Sequence, residues 1–297
     1  MGLTRNTATR LLALNGLDVL PNSAATVEGT EAGLVGSGPR VAVLAPARSR
    51  VLSGFEGETS ATGDHTLLLG PTSAANLEAL RDLMPWLRPR LLGTRTSAGF
   101  GDRLGLATPG HVGALRAAGG DLAPIFAQQS IREMERTGRS PQEVLDDATW
   151  GAFAEGWQEG FGADADHLKT DEDVDACVAA GYSFFTFDPG EYVDDGAEAA
   201  GASALPAALD DLPWQDLEDL PADLKRRYLD HEFEADGHEV GFDELSPRWR
   251  PSSTVPPWPT LRVSTATSRL RWGRGTSRSR SPWTRQRARR PMPNTCT

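Results

Sequence analysis

The stretch Gly162-Ala163-Asp164-Ala165-Asp166-His167-Leu168-Lys169-Thr170 reads as a β-strand handing over to a helix. Thr170 is a good helix N-cap, and Glu172 and Asp173 just after it suit the positive end of a helix dipole. Strand alternation places Asp164 and Asp166 on one face and His167 on the other, unless the strand ends before His167. Chargeable groups gathered at a strand's C-terminal end sit where α/β enzymes carry their chemistry.

The same rhythm extends outward. Upstream, Leu104-Gly105-Leu106-Ala107 is expected as a short strand. Thr108-Pro109-Gly110-His111 then opens a helix that runs to Gly119-Gly120. Residues 122–127 (LAPIFA) form the next expected strand, closed by Gln128-Gln129-Ser130. Ser140, Pro141 and Glu143 compose a capping box for a helix whose apolar face includes Val144, Ala148, Phe153 and Trp157. Downstream, Gly181 ends a helix, and residues 182–187 (YSFFTF) form a strand that closes at Asp188-Pro189. Residues 102–190 therefore alternate strand and helix, which implies a parallel sheet, either doubly wound or in a (β/α)8 barrel. No GxGxxG follows any of these strands, which argues against a dinucleotide site.

On the N-terminal side, residues 41–44 (VAVL) and 67–69 (LLL) read as short buried strands, and residues 76–87 as a helix interrupted by Pro85. On the other side, residues 206–245 are acidic with Leu209, Leu212, Leu217, Leu220 and Leu224 at helical intervals, which predicts helices.

Composition bounds the function. The chain has 297 residues and a formal net charge of −11. Residues 247–297 hold twelve of its 30 Lys and Arg and no Asp or Glu, so the first 246 residues carry 18 basic against 41 acidic groups. An acidic body argues against nucleic acid as its natural partner. The two cysteines, Cys177 and Cys296, have no disulfide or metal spacing. No apolar run approaches the roughly 20 residues that span a bilayer, and the first residues lack a signal-peptide pattern. The expected location is the cytoplasm.

His167 is a candidate ligand of a divalent metal, with Asp164 or Asp166 as base or second ligand; the competing reading is an ordinary salt-bridged strand end. Lys169 can orient a substrate carboxylate or be a plain surface charge. His111, in a helix's first turn, can meet an anion or simply cap that turn. Gln128, Gln129 and Ser130 suit sugar hydroxyls, or else cap the helix that follows. His65, His231 and His238 have no motif around them and are expected at the surface.

GDRLGLATPGH (101–111), PIFAQQSIRE (124–133), GADADHLKTDED (162–173) and FTFDPGEYVDD (185–195), long and in order, resemble the tagaturonate epimerase family. The resemblance is dense over residues 94–195 and weaker on both sides. It implies interconversion of the hexuronates D-tagaturonate and D-fructuronate, a divalent metal cation and a barrel scaffold. It makes Asp166 the proton acceptor and His167 a metal ligand. Lys169, His111, Gln128 and Gln129 are candidate substrate contacts on the residue chemistry given above. The family's acidic proton donor, in a VDET-like strand, and two further metal histidines are expected downstream and do not occur in this sequence.

Residues 247–297 explain that gap in a specific way. With GC-rich codons chosen for residues 279–297 (SRSPWTRQRARRPMPNTCT), a one-base shift reads VEVSVDETARATTHAEHVY, which contains VDET. A single-base deletion near Leu245–Ser246 would produce the observed tail. The expected architecture is an α/β incomplete TIM-type (β/α)8 barrel of parallel strands with a disordered C-terminal tail. Residues 1–93 form a mixed N-terminal region of the same enzyme, 94–246 the partial barrel and 247–297 a basic tail out of frame. A half-built barrel exposes strand edges, so low stability and aggregation are expected. Two rival readings stand beside the epimerase: another metal-dependent sugar isomerase or aldolase, and a non-catalytic remnant whose basic tail binds nucleic acid.

Overall fold

The structure, a computed structural model, describes residues 11, 16–36, 40–188, 214–215, 219–229, 233–235 and 238–240. The described residues fall into two units. One comprises those up to Leu168 together with Glu172–Thr186, the other Lys169–Asp171 and those from Phe187 onward.

The first unit begins with an antiparallel sheet of β1 (Ala25–Val27), β2 (Thr30–Val35), β3 (Arg40–Pro46), β4 (Glu58–Thr62) and β5 (His65–Pro71), in the order β1-β2-β3-β5-β4. The expected strands at 41–44 and 67–69 are the centre of this sheet, and Val41 pairs with Gly70 through to Leu44 with Leu67. Their apolar runs are continuous because both faces are covered. Val41, Val43 and Leu68 pack with Leu80, Met84, Leu87 and Phe153, whereas Ala42, Leu44 and Leu67 pack with Leu11 and Val19. Helix α1 (Ala74–Leu83) stops just before Pro85, which starts a 3-10 turn, as its missing N–H requires. His65 departs from its expected surface position: its side chain is only 12% exposed and lies 2.5 Å from Asp64.

The second sheet has the order β6-β7-β8-β9, with β6 (Ser97–Gly99), β7 (Ala123–Ser130), β8 (Gly162–Leu168) and β9 (Phe184–Phe187). Its β6–β7 and β7–β8 pairs are parallel, as the strand–helix rhythm implies. Helices α2 (Thr108–Ala118), α3 (Ile131–Thr137), α4 (Pro141–Ala154) and α5 (Asp171–Ala180) join the strands. The capping box of Ser140 and Glu143 is formed, and Val144, Ala148, Phe153 and Trp157 are all buried. Phe126 is fully buried between Trp157 and Phe161, at centroid distances of 5.7 and 5.6 Å.

One expected strand is elsewhere. Residues 104–107 form a loop, and the strand before α2 is β6 at Ser97–Gly99. The Asp102 carboxylate accepts from the backbone N–H groups of Leu104, Gly105 and Ala107 at 3.1, 2.8 and 2.7 Å, taking donors that a strand would have used. Gly105 has φ +73, outside the β region. Burial pushes the Asp102 carboxyl up, but those N–H groups prevail and hold it below the usual carboxylate range. Leu104 and Leu106, taken as strand residues, are 73% and 78% exposed.

In the second unit, α6 (Pro221–Leu229) agrees with the helical reading around Leu224. The strands β10 (Phe233–Ala235) and β11 (His238–Val240) pair antiparallel where a helix was expected. Asp236-Gly237 between them is a strong two-residue hairpin signal that the acidic composition obscured. Leu209, Leu212, Leu217 and the expectations for 247–297 lie outside the described residues. Among the described residues no helix is long and apolar enough to cross a membrane.

Candidate functional site

The candidate site is built on the C-terminal ends of β7, β8 and β9. Register pairs Gln128 with Asp164 and Ser130 with Asp166, so Gln128, Asp164 and Asp166 share one face. A register irregularity between Ile125 and Ala127 precedes this stretch. It leaves an extra residue on β7 and shifts which of its side chains meet the end of β8.

Asp164 is 4% exposed. Its Oδ1 accepts the hydroxyl of Thr186 on β9 at 2.9 Å, and Gln128 on β7 is its register partner on the other side. Polar side chains of three neighbouring strands thus stand side by side, with β8 and β9 tied by the Thr186 bond. Burial, assisted by the charge of Asp166, raises Asp164 to about 6, against the lowering effect of Thr186, His167 and Gln128. Gly99 makes room for this arrangement. A Cβ on Gly99 would stand 2.1 Å from Gln128 Oε1, so the amide lies directly over the glycine.

Two residues on, His167 has φ +58, the left-handed region. A regular strand would send Asp166 and His167 to opposite faces. The left-handed residue breaks that alternation and brings His167 Nδ1 to 2.7 Å from Asp166 Oδ1. The Asp166 side chain is 19% exposed and that of His167 58%, so the imidazole reaches outward from a half-covered carboxylate. With Nδ1–H donating to the carboxylate, Nε2 is the nitrogen left for a ligand. The two residues expected to work together are therefore brought together by a backbone conformation that alternation alone disfavours.

The other expected site residues are distributed differently. Gln129 points to the opposite face and is 1% exposed. Its amide donates to Thr137 Oγ1 at 3.1 Å and accepts from Arg139 at 2.8 Å. Arg139 also donates to the Asp102 carbonyl at 2.9 Å and pairs with Asp147 at 2.7 Å. Gln129 thus joins β7 to the links around α3 and α4, and Ser130 caps α3 by accepting from Glu133 N at 3.4 Å. His111 on α2 stacks on Phe100 at 5.1 Å, and its Nδ1 is buried without a hydrogen-bond partner. No interaction among the described residues joins His111 to the Gln128–Asp164 group. Lys169, in the second unit, lies 3.7 Å from Asp188. Thr186 and Gly99 carry no catalytic or metal-ligand spacing in the sequence. A Thr at an alternate position of the aromatic strand FFTF, and a Gly in a strand of small residues, are the faint signals that mark them.

As for a metal, His167 with its Asp166 partner has the form of one imidazole arm oriented by a carboxylate. Among the described residues, no three His, Cys, Asp or Glu side chains are grouped so as to hold an ion. They do not complete a divalent-metal site.

Comparison with known proteins adds the following. The family model for tagaturonate epimerase matches residues 40–246, well over half of the chain. A tagaturonate/fructuronate epimerase of Thermotoga maritima is 58% identical over 118 residues, which cover 40% of this chain and 24% of that protein. A glycerol complex of the fructuronate-tagaturonate epimerase of Cohnella laeviribosi superposes with a TM-score of 0.65 and 34% identity, covering 79% of this chain and 46% of that one. The native form of the same enzyme gives a TM-score of 0.65 at 30% identity, covering 91% and 52%. The chain thus spans about half the length of these solved relatives, and the match to the Thermotoga protein spans about a quarter of that protein.

Proposed function

From the premise that this chain belongs to the tagaturonate epimerase family, we propose that it carries one part of a metal-dependent keto-hexuronate epimerase. The four-stranded sheet is a segment of a (β/α)8 barrel in this reading, with 1–93 as an N-terminal region, 94–246 as the partial barrel and 247–297 as an out-of-frame tail. The substrate class is D-tagaturonate and D-fructuronate, and the location is the cytoplasm. The single observation that carries the reading is the Asp166–His167 contact of 2.7 Å at the C-terminal end of β8, inside the family-matched segment.

The chemistry asked of that pair follows from the substrate. The inverted carbon lies one bond beyond the carbon next to the ketone, so its C–H is not acidified and simple enolisation cannot invert it. A retro-aldol route can. Asp166 takes the proton of the hydroxyl on that carbon. The carbon–carbon bond toward the ketone breaks, its electron pair forms an enediolate, and the hydroxyl-bearing carbon becomes an aldehyde. The aldehyde turns, the bond reforms on its other face, and Asp166 returns the proton. No oxidant or reductant is consumed. Gln128 is the candidate contact for a substrate hydroxyl, and Lys169 for the carboxylate. His111, packed on the Phe100 ring, and Gln129, held by the Thr137 and Arg139 side chains, support the scaffold in this reading. The enediolate needs a positive partner, for which the family resemblance offers a divalent cation with His167 as one ligand. The described residues supply one imidazole arm, so we propose that this chain does not turn substrate over.

The test uses the full chain with Mn2+ and D-tagaturonate. Titration followed by electron paramagnetic resonance is expected to detect weak Mn2+ binding that falls at least tenfold in His167→Ala, and NMR of the sugar is expected to detect no conversion. A chain with the reading frame restored after codon 245 is expected to convert D-tagaturonate, and Asp166→Asn in it to lose about 100-fold or more in kcat. Unchanged Mn2+ affinity in His167→Ala, or an inert frame-restored protein, sinks the reading.

A further inference from the structure

The face that carries Asp166 also carries a polar row in which the route above uses Gln128 but gives no part to Asp164 or Thr186. It runs from Gln128 on β7 through Asp164 on β8 to Thr186 on β9. A carboxyl that is 4% exposed is costly to keep, and among the described residues no ion pair includes Asp164. Apolar packing would serve a purely structural purpose at lower cost. What the carboxyl does achieve is geometric. It accepts from Thr186 on one side and stands register-paired with Gln128 on the other, where an acceptor-only carboxylate favours the amino end of the amide. The carbonyl oxygen lies over Gly99 on β6, where a Cβ would come within 2.1 Å of it, and the amino group is the amide end farther from β6, with Asp164 on β8 across the other edge of β7. Gln128 itself is only half-buried, so the amide oxygen and its second N–H remain available to a ligand.

Resting on the epimerase reading, we propose that Asp164, braced by Thr186, is a positioning residue that fixes the Gln128 amide to read one hydroxyl of the hexuronate. The amide oxygen accepts that hydroxyl's proton in a hydrogen bond while the free N–H donates to its oxygen. A freely rotating amide could present either end. The braced one presents a single donor–acceptor pair and loses less rotamer freedom on binding. Asp164 acts through Gln128, and Asp166 keeps the proton-transfer role.

The experiment is a D-tagaturonate titration of the full chain with Mn2+, read by calorimetry, on the parent and on Thr186→Ser, Thr186→Val, Asp164→Asn and Gly99→Ala. Thr186→Ser keeps the brace and is expected to bind like the parent. Thr186→Val, Asp164→Asn and Gly99→Ala are expected to bind about tenfold more weakly, the loss of one oriented hydrogen bond. Asp164→Asn is expected to do so while unfolding at a higher urea concentration than the parent at neutral pH, a combination that a merely structural role would not produce. Parent-like binding in Thr186→Val and Asp164→Asn overturns this inference and leaves the epimerase reading standing. A parent that binds no hexuronate overturns both.

Discussion

Asp164→Asn is expected to stabilise the folded chain by about 3 kcal/mol at pH 7.5 and by almost nothing at pH 4. The fold raises the Asp164 carboxyl from the ordinary 3.8 of an aspartate to about 6, chiefly by burial. Between those pH values the folded chain holds a proton that the unfolded chain has released. Stability therefore falls as pH rises through that window, and above it the full cost of an ionised buried carboxylate is present. Asn has nearly the same shape, still accepts from Thr186, and carries no charge to desolvate. Urea unfolding of parent and variant at both pH values measures the difference. A variant that gains equally at pH 4 and 7.5 would locate the effect outside the ionisation of Asp164.

The second large effect is expected at Arg81. This residue, 4% exposed on α1, lies 3.0 Å from Asp146 on α4 and donates to Thr149 at 2.8 Å. The pair ties the helix that covers the antiparallel sheet to a helix that serves both sheets. Burial raises the Asp146 carboxyl above its usual range, and the Arg81 charge and the Gln142 amide only partly offset this. The pair is thus expensive to form. Breaking it is worse, because Arg81→Met leaves a 7% exposed carboxylate with only the Gln142 contact at 2.8 Å. A loss of about 3–5 kcal/mol is expected at pH 7.5, and less at pH 4, where the carboxyl takes up a proton. The double variant Arg81→Met/Asp146→Leu is expected to recover most of that loss, since an apolar pair removes the uncompensated charge. A double variant as unstable as the single one would mean that specific geometry, and not desolvation, governs this contact.

Both effects concern buried carboxylates, and they separate two uses of burial. Asp146 has an arginine and holds helices together. Asp164 has a hydroxyl and an amide and lies beside the Asp166–His167 pair. A gain in stability on neutralising Asp164, together with a loss of hexuronate binding, is the signature of a group kept for function at a cost to the fold.

Leu67-Leu68-Leu69, the capping box at Ser140 and the stop at Gly181 were legible because each is local: an apolar run, a cap, a left-handed terminus. The apolar Leu104–Ala107 imitates a strand in one dimension, but Asp102 claims the backbone donors of that loop and β6 lies at Ser97–Gly99 instead. The β10–β11 pair is masked in the sequence by the leucines at helical spacing that precede it, against a single local signal, Asp236-Gly237.

At the site, the sequence by itself determined the chemistry on offer, a carboxylate and an imidazole in adjacent positions at the end of a strand, and the family to which those motifs belong. Only the tertiary structure decided which groups meet. The left-handed backbone at His167 turns it to Asp166, and cross-strand register brings Gln128 and Thr186 to Asp164 while Gln129 is turned to the other face. The reason is physical. Residue types and their order are local properties of the chain, whereas the approach of side chains from three strands depends on register, a β-bulge and the missing Cβ of Gly99, none of which a one-dimensional pattern encodes.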